Sequence, residues 1–401
     1  MTGGTVSAAR AVGPGGETRA VSETVARQVW VAAGGRCTIC NRYLLADPVT
    51  GQEVSIGQLA HIVGWSTAAG SPRGDHDLPV GQRNSAENLM LLCHDQHRVI
   101  DHKSLWELFD VDTLRGMKRR HEQRIHRLTG LNHDNRTTVL RVVGNIHGRP
   151  VELNSSSVTS ALLARNRFPD WVLRGADEFE IDLRALPGEQ TNSPTYWAAA
   201  RSHLEDRLAH LLTQVRKEVV NHVSVFALAR IPVLVLLGTY LDKMLQVDIY
   251  PKRREGPRVW GWDEVGTPVH FTSELRRDGS DPTRVAVMFS ISGSVDVNRL
   301  PPDVLDSHTV YELRPTSALP TPELINTQET LDRFSRAWRT LLSAIEVDHP
   351  DTSAIPIFPA VPPAAAMAIG RHLLRAAHPP LHIYDRAPGS HAYLFTTDTN
   401  G

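Results

Sequence analysis

The chain has little cysteine: three residues, Cys37, Cys40 and Cys93, in a sequence of 401. So odd and sparse a set excludes the disulfide framework that holds many small secreted domains together. Net charge is also nearly absent, with 43 Lys and Arg against 44 Asp and Glu. Any contact with a polyanion must therefore come from local basic patches and not from the protein as a whole. A long uninterrupted apolar run is missing too. The stretch from Val223 to Leu241, VSVFALARIPVLVLLGTYL, is broken near its middle by Arg230 and Pro232. A buried strand, a turn and a helix explain it better than a membrane span. The N-terminus is rich in Gly and Ala and has no apolar signal core, so a cytoplasmic location without a membrane partner is expected.

The apolar fraction of 41% and charged fraction of 22% are those of a soluble globular protein. The length exceeds what one ordinary core organises, which predicts two or three units. Residues 1–21 carry five glycines and no apolar periodicity and read as a disordered arm. Ser22 is placed as an N-cap, followed by Val25, Val29, Ala32 and Ala33 at helical spacing and a Gly34-Gly35 stop. A tight Cys37-x-x-Cys40 knuckle follows. Val54 to Val63 reads as a strand ending in Ala60-His61-Ile62, Ser66 to Ala86 as a polar loop, and Asn88 to Cys93 as a second short apolar run. His97 opens a helical pattern that is interrupted near Asp101 and resumes at Val111. Its end is basic, with Arg115, Lys118, Arg119, Arg120, Arg124 and Arg127. That row is equally consistent with a solvated helix face and with a phosphate-contacting stripe.

These residues carry a recognisable chemistry. Two thiolates on one knuckle and a third from Cys93 offer zinc three of the four N or S ligands of a tetrahedron. Position 96 is the usual place for the fourth and holds Gln96; His94 and His97 remain open as alternatives. Phosphodiester hydrolysis needs a base to activate water and a cation to stabilise developing charge. His61 at a strand end can supply the base, and His97 can hold a divalent metal through one ring nitrogen. Asn88 can orient the loop that carries His61 through its amide.

Together, Cys37, Cys40, Ala60-His61-Ile62, Asn88-Leu89, Leu92-Cys93 and His97 resemble the HNH endonuclease family with its ββα-metal fold, over residues ~25–125. The resemblance implies His61 as general base, Asn88 as the middle residue and His97 as a ligand of a catalytic Mg²⁺ or other divalent cation. Many relatives carry an acid or His just before the base. Here that position is Ala60, and Asp75 and Asp101 are the candidates to replace it.

Past the polar stretch 130–136 the texture changes to alternating strands and helices. Val139–Val143 and Phe179–Leu183 read as strands and Trp197–Val215 as a helix. Two later segments resemble each other. One runs from Val223 through Ile231-Pro232 and an apolar helix to a strand at Gln246–Tyr250. The other runs from Ile355 through Val361-Pro362 and an Ala-rich helix to a strand at Leu381–Tyr384. Each is a βαβ unit with an almost wholly apolar strand, as in a parallel sheet covered on both faces, so two Rossmann-like halves are expected. Ligands of such sheets bind beyond the carboxyl ends of the strands. That points to Arg230 and Pro232, to Ser292 after the strand Val285–Ile291, and to Tyr384. Lys252, Arg253 and Arg254, with Trp260 and Trp262, add cations and stacking surfaces suited to a nucleotide.

This half resembles a SAVED domain, a fusion of two CARF-like units that binds cyclic oligonucleotides. The residues that carry the likeness are Ser224-Val225-Phe226-Ala227, Ile231-Pro232, Asp248-Ile249-Tyr250 and Trp260-Gly261-Trp262. HNH and SAVED in this order are similar to the HNH–SAVED effectors of bacterial CBASS antiphage defence. The expected organisation is an α+β HNH domain at 22–129, a linker at 130–136 and an α/β SAVED sensor at 137–401. The resemblance implies structural Zn²⁺ and double-stranded DNA as substrate. It also implies a cyclic di- or trinucleotide as activator and a ligand-promoted homo-oligomer, dimer or tetramer. A modification-dependent restriction endonuclease and a zinc-containing nucleic-acid-binding regulator without cleavage are the competing expectations.

Overall fold

A computed structural model describes residues 20–68, 70–146, 149–150, 153–169, 179–189, 193–241, 246–253, 259–386 and 392–400. Most of the expected arm at 1–21 lies outside them, as does Arg254. The chain divides into two compact units, Met1–Asn132 and His133–Gly401. No helix among the described residues is long and apolar enough to cross a membrane.

The first unit contains α1 (Glu23–Ala32), β1 (Gly57–His61), β2 (Leu89–Cys93), α2 (His94–Ile100) and α3 (Val111–Thr129). The Ser22 side chain accepts the Val25 N–H at 3.3 Å and starts α1 as its N-cap. β1 and β2 pair antiparallel, with His61 opposite Leu89 and Gly57 opposite Cys93. β1 is shorter than the alternating pattern predicts. The N–H groups of Val54 and Ile56 bond instead to the carbonyls of Leu45 and Leu44, which ties this segment to the cysteine turn. α2 begins three residues earlier than expected, because Cys93 is extended and serves as its N-cap. β2 is buried along its whole length and packs with Val29, Ile100 and Leu114 in one core.

The second unit opens with β3 (Arg136–Val143), the short pair β4 (Asn145–Ile146) and β5 (Arg149–Pro150), α4 (Ser155–Ala164), β6 (Phe168–Pro169) and β7 (Glu180–Asp182). α5 (Pro194–Arg216), β8 (His222–Leu228), α6 (Ile231–Tyr240) and β9 (Gln246–Ile249) follow. Then come β10 (Phe271–Arg277), β11 (Val285–Ser290), α7 (Pro302–Ser307), β12 (Thr309–Pro315) and α8 (Gln328–Asp348). The chain ends with β13 (Ile355–Ala360), α9 (Pro363–Arg371), β14 (Leu381–Arg386) and β15 (Tyr393–Asp398). One sheet runs β6-β3-β8-β9, with β7 also on β3, and all its pairs are parallel. The other runs β10-β12-β11-β13-β14-β15. Its four inner strands are parallel and both edge strands antiparallel. Every residue of β8 and β11 is buried, as strands covered on both faces require.

The two βαβ repeats are β8-α6-β9 and β13-α9-β14, and α6 and α9 pack against each other. Their N-caps, Arg230 and Pro362, are the equivalent positions, not the two prolines aligned by sequence. From each N-cap, Gly238 and Gly370 then stand the same number of residues along the helix. A methyl on Gly370 would collide with the Val235 carbonyl, and one on Gly238 with the Met367 carbonyl. Backbone cannot yield there as a side-chain tip would. Gly370→Ala is therefore expected to cost about 3 kcal/mol, an overpacking penalty at the upper end of the usual range. Calorimetry should show the melting temperature of the second unit lowered by roughly 6–12 °C. Gly293→Ala, with nothing within 4 Å of its added methyl, should leave it nearly unchanged.

Candidate nuclease centre and sensor pocket

The cysteine turn forms because Cys37 N–H bonds the Arg42 carbonyl and Asn41 N–H returns to the Cys37 carbonyl, with Asn41 at φ 62°. Thr38 pins the turn to β2, donating both its N–H and its hydroxyl to the Leu91 carbonyl at 2.9 Å. This brings Cys37, Cys40 and Cys93 together, with their sulfurs within 4.8 Å of one another and no disulfide among them. The Cys40 and Cys93 sulfurs lie 3.8 Å apart. Sulfurs on a tetrahedron with ~2.3 Å metal bonds are separated by ~3.8 Å, so the set fits zinc. Burial pushes the Cys37 thiol up, but backbone N–H groups of Cys40, Cys93 and Ile39 outweigh it and the net shift is downward. Cys40 moves the other way, to about 11, through burial and the neighbouring Cys37. The two thiols are thus pushed in opposite directions, and a divalent cation would stabilise the set as thiolates. Among the described residues, no fourth Cys, His, Asp or Glu joins the group.

His61 ends β1, half-buried, with Nε2 2.9 Å from Asn84 Oδ1. The amide oxygen can only accept, so Nε2 carries the proton and the lone pair of the neutral ring sits on Nδ1. Asn88 is 2% exposed. Its amide accepts the Val63 N–H and donates to the carbonyls of Val63 and Arg83, each at 2.9 Å. It clamps the backbone just beyond His61 and is sealed from solvent.

His97 lies on α2, one helical turn before Asp101, which caps the helix. Its Nδ1 lies 2.8 Å from Gln58 Oε1 on β1, and its Nε2 lies 3.4 Å from Asp101 Oδ2. Both ring nitrogens face oxygen acceptors: a proton on Nε2 bonds the Asp101 carboxylate, and a divalent cation would take that proton's place between Nε2 and the carboxylate. Asp101 is held below the usual carboxylate range: burial opposes ionisation, but hydrogen bonds from His97 and Arg73 outweigh it. Two oxygen- and nitrogen-donor atoms so placed suit a hydrated divalent cation that keeps several waters, as Mg²⁺ does. Asp101, named in the sequence as one of two candidates, stands beside His97; no bond to Asp75 is among those described. Asn84, Gln58 and Arg73 were not singled out. Nothing in a polar loop or on an exposed strand position marks them before the pairing of β1 with α2 is known.

The basic row on α3 splits. Lys118 is buried and paired with Glu122, and Arg124 bonds Asn41 Oδ1 at 2.6 Å. Arg119, Arg120 and Arg127 are exposed.

In the second unit, Arg230 is the N-cap of α6, just past the carboxyl end of β8. Its guanidinium sits 5.3 Å above the Tyr196 ring and 6.0 Å from Trp197, and pairs with Glu189 at 3.0 Å. Burial pushes the Tyr196 phenol up to about 12. Pro232 is buried within α6. Ser292 follows β11, its N–H on the Ala360 carbonyl, and Tyr384 lies between Phe358 and Phe395. Lys252 is exposed, and Arg253 pairs with Asp263 at 2.5 Å. The expected stacking surfaces need correction. Trp260 and Trp262 are 2% and 7% exposed. Trp260 packs edge-on against Phe226, and the Trp262 indole donates to the Ile249 carbonyl at 2.9 Å. Their area is worth more to the core than to an open pocket, and neither is available to stack on a base.

Comparisons with known proteins bear on both units. A family model described as HNH endonuclease matches residues 37–105. One described as the SMODS-associated sensor domain fused to various effectors, SAVED, matches residues 204–397. No curated protein matches the chain. Among solved structures, an Acinetobacter baumannii Cap4 SAVED/CARF-domain receptor with the cyclic trinucleotide 2′3′3′-cAAA is 13% identical, with a TM-score of 0.41. That match covers 77% of this chain and 62% of the receptor. A Moraxella osloensis Cap4 receptor is 14% identical with a TM-score of 0.35, covering 74% of this chain and 60% of its own. The chain thus spans about three-fifths of the length of these receptors. Its first unit holds an HNH endonuclease domain and its second a SAVED sensor domain, the arrangement of an HNH–SAVED effector.

Proposed function

We propose that the protein is a DNA endonuclease silent until a cyclic oligonucleotide binds its second unit, acting in CBASS-type antiviral defence. The observation that carries this reading is the succession, in one chain, of an HNH match that contains His61, Asn88 and His97 and a SAVED match. Zinc on Cys37, Cys40 and Cys93 shapes the first unit. His97 and Asp101 hold the catalytic cation, and a bound divalent ion supplies charge stabilisation at the phosphate and leaving oxygen. His61 takes the proton of the attacking water on Nδ1, with Asn84 fixing the ring and Asn88 the backbone that bears it. The substrate is the DNA duplex, approached by the exposed Arg119, Arg120 and Arg127 through its phosphates.

Arg230, beside two aromatic rings at a helix N-terminus, is the cation we assign to the ligand, with Ser292 and Lys252 as further polar groups and Pro232 and Tyr384 shaping the pocket. The ligand favours an assembled homo-oligomer over free subunits. Moving such an equilibrium from 1:99 to 99:1 takes about 5.5 kcal/mol of differential affinity.

The test uses the purified full chain, plasmid DNA and Mg²⁺ or Mn²⁺, with a panel of cyclic di- and trinucleotides. Plasmid should stay intact without nucleotide and be degraded with one member of the panel. Cleavage triggered by methylated DNA alone, with no nucleotide, would replace this reading with a modification-dependent restriction enzyme.

A further inference from the structure

We propose that Arg73 is a positioning residue of the nuclease centre, a bridge that fixes the strand bearing His61 against the helix end bearing His97 and Asp101. This rests on the nuclease reading above. Arg73 comes from the polar loop between β1 and β2, where it adopts φ 53°, a left-handed conformation that a non-glycine residue takes only when its surroundings hold it there. It is 8% exposed. Its Nε donates to the Ile62 carbonyl at 2.6 Å and its Nη2 to the His61 carbonyl at 3.4 Å. Its Nη1 donates to the Ile100 carbonyl at 2.7 Å, and Nη2 also reaches Asp101 Oδ1 at 2.9 Å. One planar group therefore touches the backbone of the proposed base and the end of the metal-binding helix.

The carboxylate of Asp101 is shared. Oδ1 goes to Arg73 and Oδ2 faces His97 Nε2. Without the arginine the carboxylate is free to rotate about its last torsion, and the donor pair loses its fixed aim. Arg83 shows by contrast what a purely structural arginine does here. It is 1% exposed, and its guanidinium donates to the carbonyls of Leu78, Gly64, Gly74 and His76, all within the same loop. None of these contacts reaches the site. A lysine at position 73 keeps the charge but cannot span both elements, because the planar fork of donors is lost.

The test compares R73K, R73Q and R83K in the full chain. Turnover on plasmid with saturating activator, the KM for DNA, and Mn²⁺ binding followed by the electron paramagnetic resonance of free Mn²⁺ are measured at matched folded fractions. Both Arg73 variants should lose on the order of 10–100-fold in kcat and weaken Mn²⁺ binding by about tenfold, as outer-shell changes do, with the KM for DNA within about twofold. R83K should lower the melting temperature and leave Mn²⁺ binding unchanged. Should R73Q not fold, R73K, which keeps the charge and most of the volume but not the fork of donors, carries the test alone. Full kcat and unchanged Mn²⁺ binding in folded R73K and R73Q would overturn the role, as would a loss that R83K matches in every readout. A wild-type chain that cuts no DNA under any condition would bring down the nuclease reading, and the positioning role with it.

Discussion

His61→Ala is expected to abolish activated DNA cleavage, with kcat reduced by about 10²–10⁴-fold while the chain stays folded and still binds DNA and its activator. That loss corresponds to roughly 3–5 kcal/mol of transition-state stabilisation. The size follows from what the ring does. Its Nε2 is committed to Asn84 at 2.9 Å, so the basic nitrogen is oriented and not merely present. Alanine removes the base and its bond to Asn84 but leaves the backbone clamp in place. The Asn88 clamp on Val63 and the β1–β2 register do not involve the imidazole. Stability should change by about 1 kcal/mol, through loss of the Asn84 hydrogen bond and the Trp65 ring contact. Single-turnover cleavage with saturating nucleotide and Mg²⁺ measures the effect. Retained cleavage at more than about a tenth of the wild-type rate would assign the base elsewhere. His61→Asn keeps a polar side chain and should be as inactive as alanine, because an amide takes no proton.

The contrast between clamp and base shows what was legible beforehand. His61, Asn88, His97 and the cysteines could be picked out because together they resemble the HNH motif, and the structure gathers the three sulfurs. The βαβ repeats were equally visible, since their largely buried strands leave nearly continuous apolar runs at β8 and β13. Arg73 and Asn84 were not. Both lie in the polar loop between β1 and β2, whose periodicity carries no signal, and their importance depends on partners 11 to 28 residues away. Trp260 and Trp262 misled for a related reason. A basic, aromatic stretch reads the same whether its rings line a pocket or fill a core, and only the contacts of Phe226 and Ile249 decide. The antiparallel edges of the larger sheet were likewise hidden, because β10 is mostly exposed and polar and β15 only half buried. The repeat itself was aligned on its prolines, whereas the helix caps and the Gly238–Gly370 crossing set the true correspondence.

Cys37→Ser is expected to cost the first unit its metal and most of its fold. The three sulfurs gather residues more than 50 positions apart, and Cys93 is both the end of β2 and the N-cap of α2. A metal held there ties the knuckle to the start of the helix that presents His97 four residues later. The core beneath it is built around Val29, Leu89, Leu91, Ile100 and Leu114, with Cys37 and Cys93 themselves part of it. Structural zinc contributes about 10–16 kcal/mol of apparent folding free energy in small zinc-dependent peptides, more than a unit of this size can lose. Elemental analysis should find one zinc per wild-type chain and none in the variant. Proteolysis should then cut the first unit and spare the second, whose separate core does not depend on these cysteines. The wild-type thiols should react slowly with a thiol reagent until a chelator is added. Acid should weaken the site, because every ligand must lose a proton to bind and protons compete as pH falls. A metal-free wild type whose Cys37→Ser variant melts unchanged would make the three cysteines ordinary free thiols, and the placement of the helix carrying His97 would then have to come from contacts such as those of Thr38 and Asp101.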